Sequence, residues 1–201
     1  MKKLVAILLI LVILAAGCRK ANQITPAAPA PESTAAPTDA PVPEGTVAPA
    51  SYAFTFSAKT LEGETVTEAF FGRYDLTMVN VWASWCPPCR GELSELAALY
   101  GKLPENVGFL SVIVDDPGDL SDAQALLEEH GCAFPCLDGQ GSPGLMAGFI
   151  NQVMAIPTTL FLDKNGNQVG QWIVGVPQGS ASVSDAYLNE IQARLDELNG
   201  Q

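Results

Sequence analysis

The sequence predicts an α/β domain with a mixed central sheet, helices on both faces of that sheet, and a β-hairpin in front of it. Two segments, 76–82 and 107–114, are almost entirely apolar, which is typical of strands covered on both faces. Each precedes a predicted helix, as in parallel strands joined by a helix. A third apolar strand at 158–162 returns through a tight turn, so its partner at 168–174 is expected to be antiparallel.

The first half of the domain combines the hairpin with one strand–helix pair. Alternating aromatic and small residues predict a strand at 52–57, and turn residues at 61–64 lead into a second strand at 65–67. After the apolar strand at 76–82, leucine, alanine and tyrosine at helical spacing predict a helix from Cys86 to about Leu103.

The second half continues the alternation of strands and helices. Ser121 and Gln124 match a capping box, which predicts a helix that ends at Gly131. Ser142 followed by Pro143 predicts the start of a short helix. The other predicted elements are an extended segment at 134–137, strands at 158–162 and 168–174, and an amphipathic helix at 185–198.

The N-terminal segment predicts export and membrane attachment. Two lysines precede an apolar run at 4–16, which is shorter than the about 20 residues that span a bilayer and is typical of a signal peptide. Residues 14–18 resemble a bacterial lipobox, whose cysteine becomes lipidated. We therefore expect a signal peptide at 1–17 and a lipid anchor on Cys18 at the extracytoplasmic face of a bacterial membrane. A plain secretory signal is the alternative.

Residues 18–50 and 51–201 differ in composition. The first segment is rich in Ala, Pro and Thr and has no aromatic residue, so it predicts a disordered tether. The second is long enough for one domain with a substantial core. A formal net charge of −12 argues against nucleic acid or an anionic lipid surface as a partner.

Cys86 and Cys89 are the candidate reactive residues, in the sequence Cys-Pro-Pro-Cys where the first core strand meets its helix. Two cysteines at this spacing can cycle between a dithiol and a disulfide. Unpaired N–H groups and the helix dipole favour a thiolate on the first cysteine, whose pKa in such motifs falls to about 3.5–7.5. We predict Cys86 as the nucleophile and Cys89 as the resolving thiol. Pro87 and Pro88 fit the first helical turn, where no intrahelical N–H bond is lost.

The motif Trp85-Cys-Pro-Pro-Cys, the element order and the sequence 156–159 (Ile-Pro-Thr-Thr) together resemble a known family. It comprises membrane-tethered thiol–disulfide oxidoreductases of the TlpA/ResA type, within the AhpC/TSA-like redoxin superfamily, and the likeness covers about residues 51–180. The resemblance implies a thioredoxin-like three-layer fold and a cis peptide bond at Pro157 that shapes substrate docking beside the disulfide. It also implies that Trp85 shields the disulfide, whereas Trp82 is expected in the core.

The same resemblance suggests a function. It implies reduction of disulfides in exported proteins, with cytochrome c maturation as one such pathway, and a membrane thiol transporter as the electron donor. Partners are then protein thiols and disulfides, and the lipid bilayer through Cys18. We expect no cofactor and no metal. The direction of electron flow depends on the redox potential, which the sequence does not define.

This chain differs from the wider fold family in the residue that would deprotonate the resolving thiol. Cytoplasmic thioredoxins have a buried aspartate where this chain has Asn80, and asparagine does not exchange protons in this role. Glu92 lies three residues beyond Cys89, on a neighbouring helical position. We suggest that Glu92 modulates Cys89, with a solvated glutamate favoured by the helix dipole as the alternative.

The remaining cysteines, Cys132 and Cys136, are open to two interpretations. In an extended segment their Cα atoms stand about 13 Å apart, whereas a disulfide requires about 7 Å or less. We favour two buried or partly buried thiols, with a disulfide across a turn as the alternative. The single histidine, His130, lies at a predicted helix end, where a capping or cationic role is commonest.

Three other functions compete with disulfide exchange. A thiol peroxidase of the peroxiredoxin type requires a PxxxTxxC-like pattern, but Val79 and Ala83 occupy the proline and threonine positions. A metal-binding protein would use the four cysteines of the domain, at a spacing unlike compact zinc modules. A structural lipoprotein would keep Cys86 and Cys89 as an inert disulfide, resistant to mild dithiols.

Overall fold

The computed structural model describes residues 52–200. Its strands are β1 (Ser57–Lys59), β2 (Thr65–Thr67), β3 (Leu76–Trp82), β4 (Val107–Ile113), β5 (Cys136–Asp138), β6 (Thr158–Asp163) and β7 (Ile173–Val174). Its α-helices are α1 (Pro87–Tyr100), α2 (Ser121–Glu129), α3 (Pro143–Gly148) and α4 (Val183–Asn199). Short 3₁₀ turns occupy Glu68–Arg73 and Ile150–Gln152.

The central sheet has five strands in the order β5-β4-β3-β6-β7. β3 and β5 are parallel to β4, whereas β6 is antiparallel to both β3 and β7. β1 and β2 form a separate antiparallel hairpin, and an isolated bridge between Thr60 and Leu137 connects it to the sheet edge. The mixed sheet and the hairpin in front of it are therefore confirmed.

The core lies on both faces of β3, whose seven residues are all buried. On one face, Met78 and Trp82 belong to a cluster that includes residues of α1, α2 and α4. On the other face, Val79 and Val81 pack in a cluster with residues of the hairpin, the first 3₁₀ turn and α3. This alternation explains the almost uninterrupted apolar sequence and produces the three layers that the resemblance implies.

The first strand begins later than predicted. The alternating segment 52–57 is not a strand except at Ser57, where β1 starts. The rings of Phe54 and Phe56 instead lie against Phe71, each with ring centroids 5.7 Å apart. The alternation of aromatic residues thus reflects ring packing on one face of the sheet rather than strand pairing.

Two further local predictions are wrong. The capping box at α2 does not form, because the Ser121 hydroxyl donates to the Asp119 carboxylate, 2.6 Å away, and caps no helix N–H. The strand predicted at 168–174 shortens to β7, since Gly170 has a φ of 66°, outside the range of a strand. The predicted cap of α3 is confirmed, with the Ser142 hydroxyl accepting the N–H of Leu145 at 3.4 Å.

The predicted signal peptide at 1–17, the lipidated Cys18 and the tether at 18–50 lie outside the described residues. Among residues 52–200, no helix is both long and apolar enough to cross a bilayer.

Candidate active site

The disulfide between Cys86 and Cys89 lies at the start of α1, with Cα atoms 5.3 Å apart. Cys86 is the N-cap residue: its backbone is extended, and its sulfur accepts the backbone N–H of Cys89 at 3.3 Å. Pro87 and Pro88 occupy the first helical turn, as predicted. The N–H of Cys89 and the positive end of the helix dipole therefore face the Cys86 sulfur, which favours its anionic form after reduction.

The two cysteines differ in access to solvent. Cys89 is completely buried, whereas Cys86 retains a small exposed fraction. Trp85, next in the chain, is 67% exposed, and Trp82 lies in the core with its indole N–H donating to the Ser111 hydroxyl at 2.7 Å. Cys86 is therefore the less protected of the two sulfurs, with the exposed Trp85 beside it.

The loop that precedes β6 lies against the disulfide. The peptide bond between Ile156 and Pro157 is cis, as the resemblance implies. The carbonyl oxygen of Ile156 lies 3.7 Å from the Cys86 sulfur, and the carbonyl of Pro157 accepts the N–H of Gly175 at 2.8 Å. Two contacts therefore position this loop, one with the Cys86 sulfur and one with the residue that follows β7.

Glu92 lies on the buried face of α1, the helix that begins at the disulfide, and only 1% of its surface is exposed. The alternative of a solvated glutamate is therefore wrong. Its carboxylate accepts from the Asn80 amide at 3.1 Å and from the Tyr187 hydroxyl at 3.0 Å. Thr159 completes the network, 3.1 Å from the Asn80 amide nitrogen and 3.2 Å from the Tyr187 oxygen.

Burial raises the pKa of Glu92 from 4.5 to about 7, although the hydrogen bonds from Asn80 and Tyr187 act in the opposite direction. The carboxyl group can therefore gain or lose a proton near neutral pH. A carboxyl with this property, three residues beyond Cys89, can hold a proton during thiol exchange.

Sequence reasoning missed the partners of Glu92. Tyr187 lies in the amphipathic helix predicted at 185–198 and Thr159 in the strand predicted at 158–162, and neither was identified as a site residue. The available signal was the polar Asn80 in the middle of an otherwise apolar strand, because a buried amide requires hydrogen-bond partners.

Asp115 is a further residue that sequence reasoning missed. Its side chain is buried, and both carboxylate oxygens accept the backbone N–H of Ser84, at 3.0 and 3.2 Å. This contact holds the segment that leads from β3 to Cys86. The signal was its position, because the ends of adjacent parallel strands meet at the same edge of a sheet.

Cys132 and Cys136 are free thiols, as favoured above. The Cys132 thiol donates to the carbonyl of Leu93 at 3.6 Å, and Cys136 accepts from the Ser111 hydroxyl at 3.5 Å. Burial raises the pKa of Cys132 to about 11 and that of Cys136 to about 12, so both remain protonated at neutral pH.

The other candidates do not assemble into a metal site. His130 ends α2, with its ring nitrogen 2.7 Å from the Ser94 hydroxyl. Within residues 52–200, no three or more His, Cys, Asp or Glu side chains form a group that could hold a metal ion.

The chain matches a known protein family and is similar to several known proteins. The sequence model of the AhpC/TSA family matches residues 49–169. The chain is 30% identical over 114 residues to sporulation thiol-disulfide oxidoreductase A of Bacillus subtilis, a match that covers 55% of this chain and 66% of that protein. It is 36% identical over 110 residues to the thiol:disulfide interchange protein DsbE homolog of Paracoccus denitrificans, covering 53% and 56% respectively. The chain thus spans between about half and two thirds of the length of these relatives.

Solved structures confirm the thioredoxin-like fold. A thioredoxin-family thiol:disulfide interchange protein from Chlorobium tepidum has a TM-score of 0.59 and 23% identity, with 74% of this chain and 99% of that chain covered. StoA from Bacillus subtilis has a TM-score of 0.53 and 26% identity, with 69% and 99% covered.

Proposed function

Because this chain belongs to the AhpC/TSA family and has a disulfide at the start of a helix, we propose that it is a thiol–disulfide oxidoreductase that reduces exported proteins. One observation carries the proposal: the Cys86 sulfur accepts a helix N–H while its partner Cys89 is fully buried. An inert structural disulfide would not need one sulfur that is stabilised as an anion beside a second sulfur that is fully buried.

The reducing cycle starts from the dithiol form. The Cys86 thiolate attacks one sulfur of a substrate disulfide, forms a mixed disulfide and releases the other substrate sulfur as a thiolate, which takes up a proton. Cys89 then loses its proton and attacks Cys86, which releases the second substrate thiol and restores the Cys86–Cys89 disulfide. Two electrons pass to the substrate in each cycle.

Glu92 assists the second step in this proposal. The buried Cys89 thiol must lose its proton before it attacks, and burial disfavours the thiolate. With a pKa of about 7, the Glu92 carboxylate can take up that proton directly or through a water molecule. Glu92→Gln is then expected to slow resolution of the mixed disulfide and to remove its pH dependence near neutrality.

Two residues beside the disulfide shape substrate binding. Pro157 places the carbonyl of Ile156 next to the Cys86 sulfur, and Trp85 covers the adjacent surface. Pro87 and Pro88 occupy the first turn of α1 and have no N–H to donate, so the N–H that reaches the Cys86 sulfur is that of Cys89.

The proposal includes a location and an electron donor. We infer lipid attachment through Cys18 after removal of residues 1–17, a tether at 18–50, and a membrane thiol transporter that supplies the dithiol. The relatives are named as a thiol-disulfide oxidoreductase and a thiol:disulfide interchange protein, which supports disulfide exchange. In this proposal the substrates are exported proteins, with cytochrome c maturation as one pathway.

A thiol peroxidase is the less well supported alternative. Val79 and Ala83 are both buried and apolar, so neither supplies a hydroxyl group to a peroxide near Cys86. Peroxide consumption that depends on Cys86 would favour it over disulfide exchange.

Trapping of substrates tests the proposed function. Cys89→Ala leaves the mixed disulfide unresolved, so it is expected to accumulate adducts with exported proteins that mass spectrometry identifies. The control is Cys86→Ala with Cys89→Ala, which should trap nothing. Adducts that persist in this control would arise from Cys132 or Cys136 and would contradict the assignment of the nucleophile, as would a lack of any adduct in Cys89→Ala.

A further inference from the structure

We propose that a pocket on the face of the sheet opposite α1 binds a neutral oligosaccharide. This amide pocket consists of two adjoining cavities, of about 310 and 290 Å³, which share Gln152, Gln168 and Trp172. Among residues 52–200, none that lines either cavity belongs to α1, and neither cysteine of the disulfide is among them. The amide pocket is therefore separate from the site of disulfide exchange.

The apolar part of the lining includes the indole ring of Trp172. Leu160 and Leu162 of β6 and the rings of Phe54 and Phe149 supply the rest of this apolar surface. Trp172 is only partly buried against the core on this face of the sheet, so part of its ring is available to a ligand. The face of a sugar ring carries C–H groups, and an aromatic ring packs well against such an apolar surface.

Hydrogen bonds within the amide pocket hold the ring of Trp172 in one orientation. Its indole N–H donates to the side-chain oxygen of Gln168 at 2.9 Å, and the Gln168 amide nitrogen donates to the carbonyl of Gly170 at 2.7 Å. Gly170, with a φ of 66°, turns the backbone between these two side chains. Because the ring is positioned before a ligand arrives, less entropy is lost on binding.

The polar part of the lining consists of side-chain amides, from Gln152, Asn167, Gln168 and Gln171. Each amide has N–H donors and an oxygen acceptor, and a sugar hydroxyl likewise both donates and accepts. No charged side chain of the described residues lines either cavity, so a charged ligand would lose hydration without gaining an ion pair. Apolar surface beside several amides therefore matches a neutral ring that has apolar faces and hydroxyl groups along its edge.

The amide pocket fits an oligosaccharide better than an apolar peptide segment or a single sugar. An apolar side chain placed there would bury the amides without giving them hydrogen-bond partners, which is unfavourable. A single sugar ring would occupy one cavity and leave the other to water. Two linked rings contact both cavities and the ring of Trp172 between them.

Titration of the oxidised protein with neutral trisaccharides, followed by the NMR signals of indole and side-chain amide groups, tests this inference. The probes are cellotriose and the trimer of N-acetylglucosamine. We expect at least one of them to shift the Trp172 indole signal, identified by its absence from Trp172→Ala, with a Kd of about 1 mM. Glucose alone should bind more weakly than that trimer.

Three variants locate the binding site. Trp172→Ala should weaken binding of the trimer about tenfold, as expected for the loss of a large aromatic contact. Because Trp172 is partly buried, Gln171→Ala at an exposed position is a second variant, which should weaken binding about threefold. Trp85→Ala removes an exposed tryptophan beside the disulfide, so it is the matched control and should bind the trimer as the natural chain does.

Several results would overturn the inference. One is the lack of any shift with either trimer up to about 10 mM, which is ten times the expected Kd. Others are an equal loss of affinity in Trp85→Ala and Trp172→Ala, or glucose that binds as tightly as the trimer. A shift produced by an uncharged peptide, acetyl-Gly-Ser-Asn-amide, and by neither trimer would assign the amide pocket to polypeptides instead.

Discussion

Glu92→Gln is expected to change how the stability of the oxidised protein depends on pH. The Glu92 carboxyl has a pKa of about 7 in the folded protein, against 4.5 as its ordinary value. Between these two values the folded protein binds a proton that the unfolded chain does not, so the free energy of unfolding falls as the pH rises from 4.5 through 7. At about 1.4 kcal/mol per pKa unit, the loss amounts to about 3 kcal/mol.

Glutamine preserves the size of the side chain and does not ionise, so this loss should disappear in the variant. Urea unfolding of both oxidised proteins at about pH 4 and about pH 8 measures it. Relative to the natural protein, Glu92→Gln should gain about 3 kcal/mol in unfolding free energy between these two conditions. Glu129→Gln, at an exposed position on α2, is the control and should show a change within about 0.5 kcal/mol. A difference for Glu92→Gln that stays constant with pH would refute the assignment of a raised pKa.

Three other predictions follow from the packing of the site and the core. Tyr187→Phe removes a hydrogen bond that lowers the pKa of Glu92, so the pH profile of mixed-disulfide resolution should shift upward by about half a pH unit to one unit, as stopped-flow quenching measures. In the oxidised protein, mass spectrometry after alkylation under denaturing conditions should count two thiols within residues 52–200, Cys132 and Cys136, whereas the native protein should react slowly at Cys132 and not at Cys136. Gly144→Ala should lower the unfolding free energy by about 1–3 kcal/mol, since a Cβ there would lie 2.6 Å from a backbone atom of Phe56, and thermal unfolding would detect it.

Local sequence patterns were sufficient to predict the two central strands. The strands at 76–82 and 107–114 were predicted almost to the residue, because strands covered on both faces require uninterrupted apolar sequence. The aromatic segment 52–57 was misread, because alternation produced by rings that pack under a sheet looks the same as alternation produced by pairing. Ser121 was misread as a cap because Asp119 offers its hydroxyl a competing acceptor.

By itself, the sequence determined the order of elements and the redox pair, because Cys86 and Cys89 are three positions apart and their chemistry depends on the helix that they begin. The raised pKa of Glu92, in contrast, depends on the tertiary structure. Its partner Tyr187 is 95 positions away in the chain, and the burial that raises its pKa arises when α1 and α4 pack on the same face of the sheet. Contacts over such distances depend on the relative placement of whole helices, which no local pattern of residues specifies.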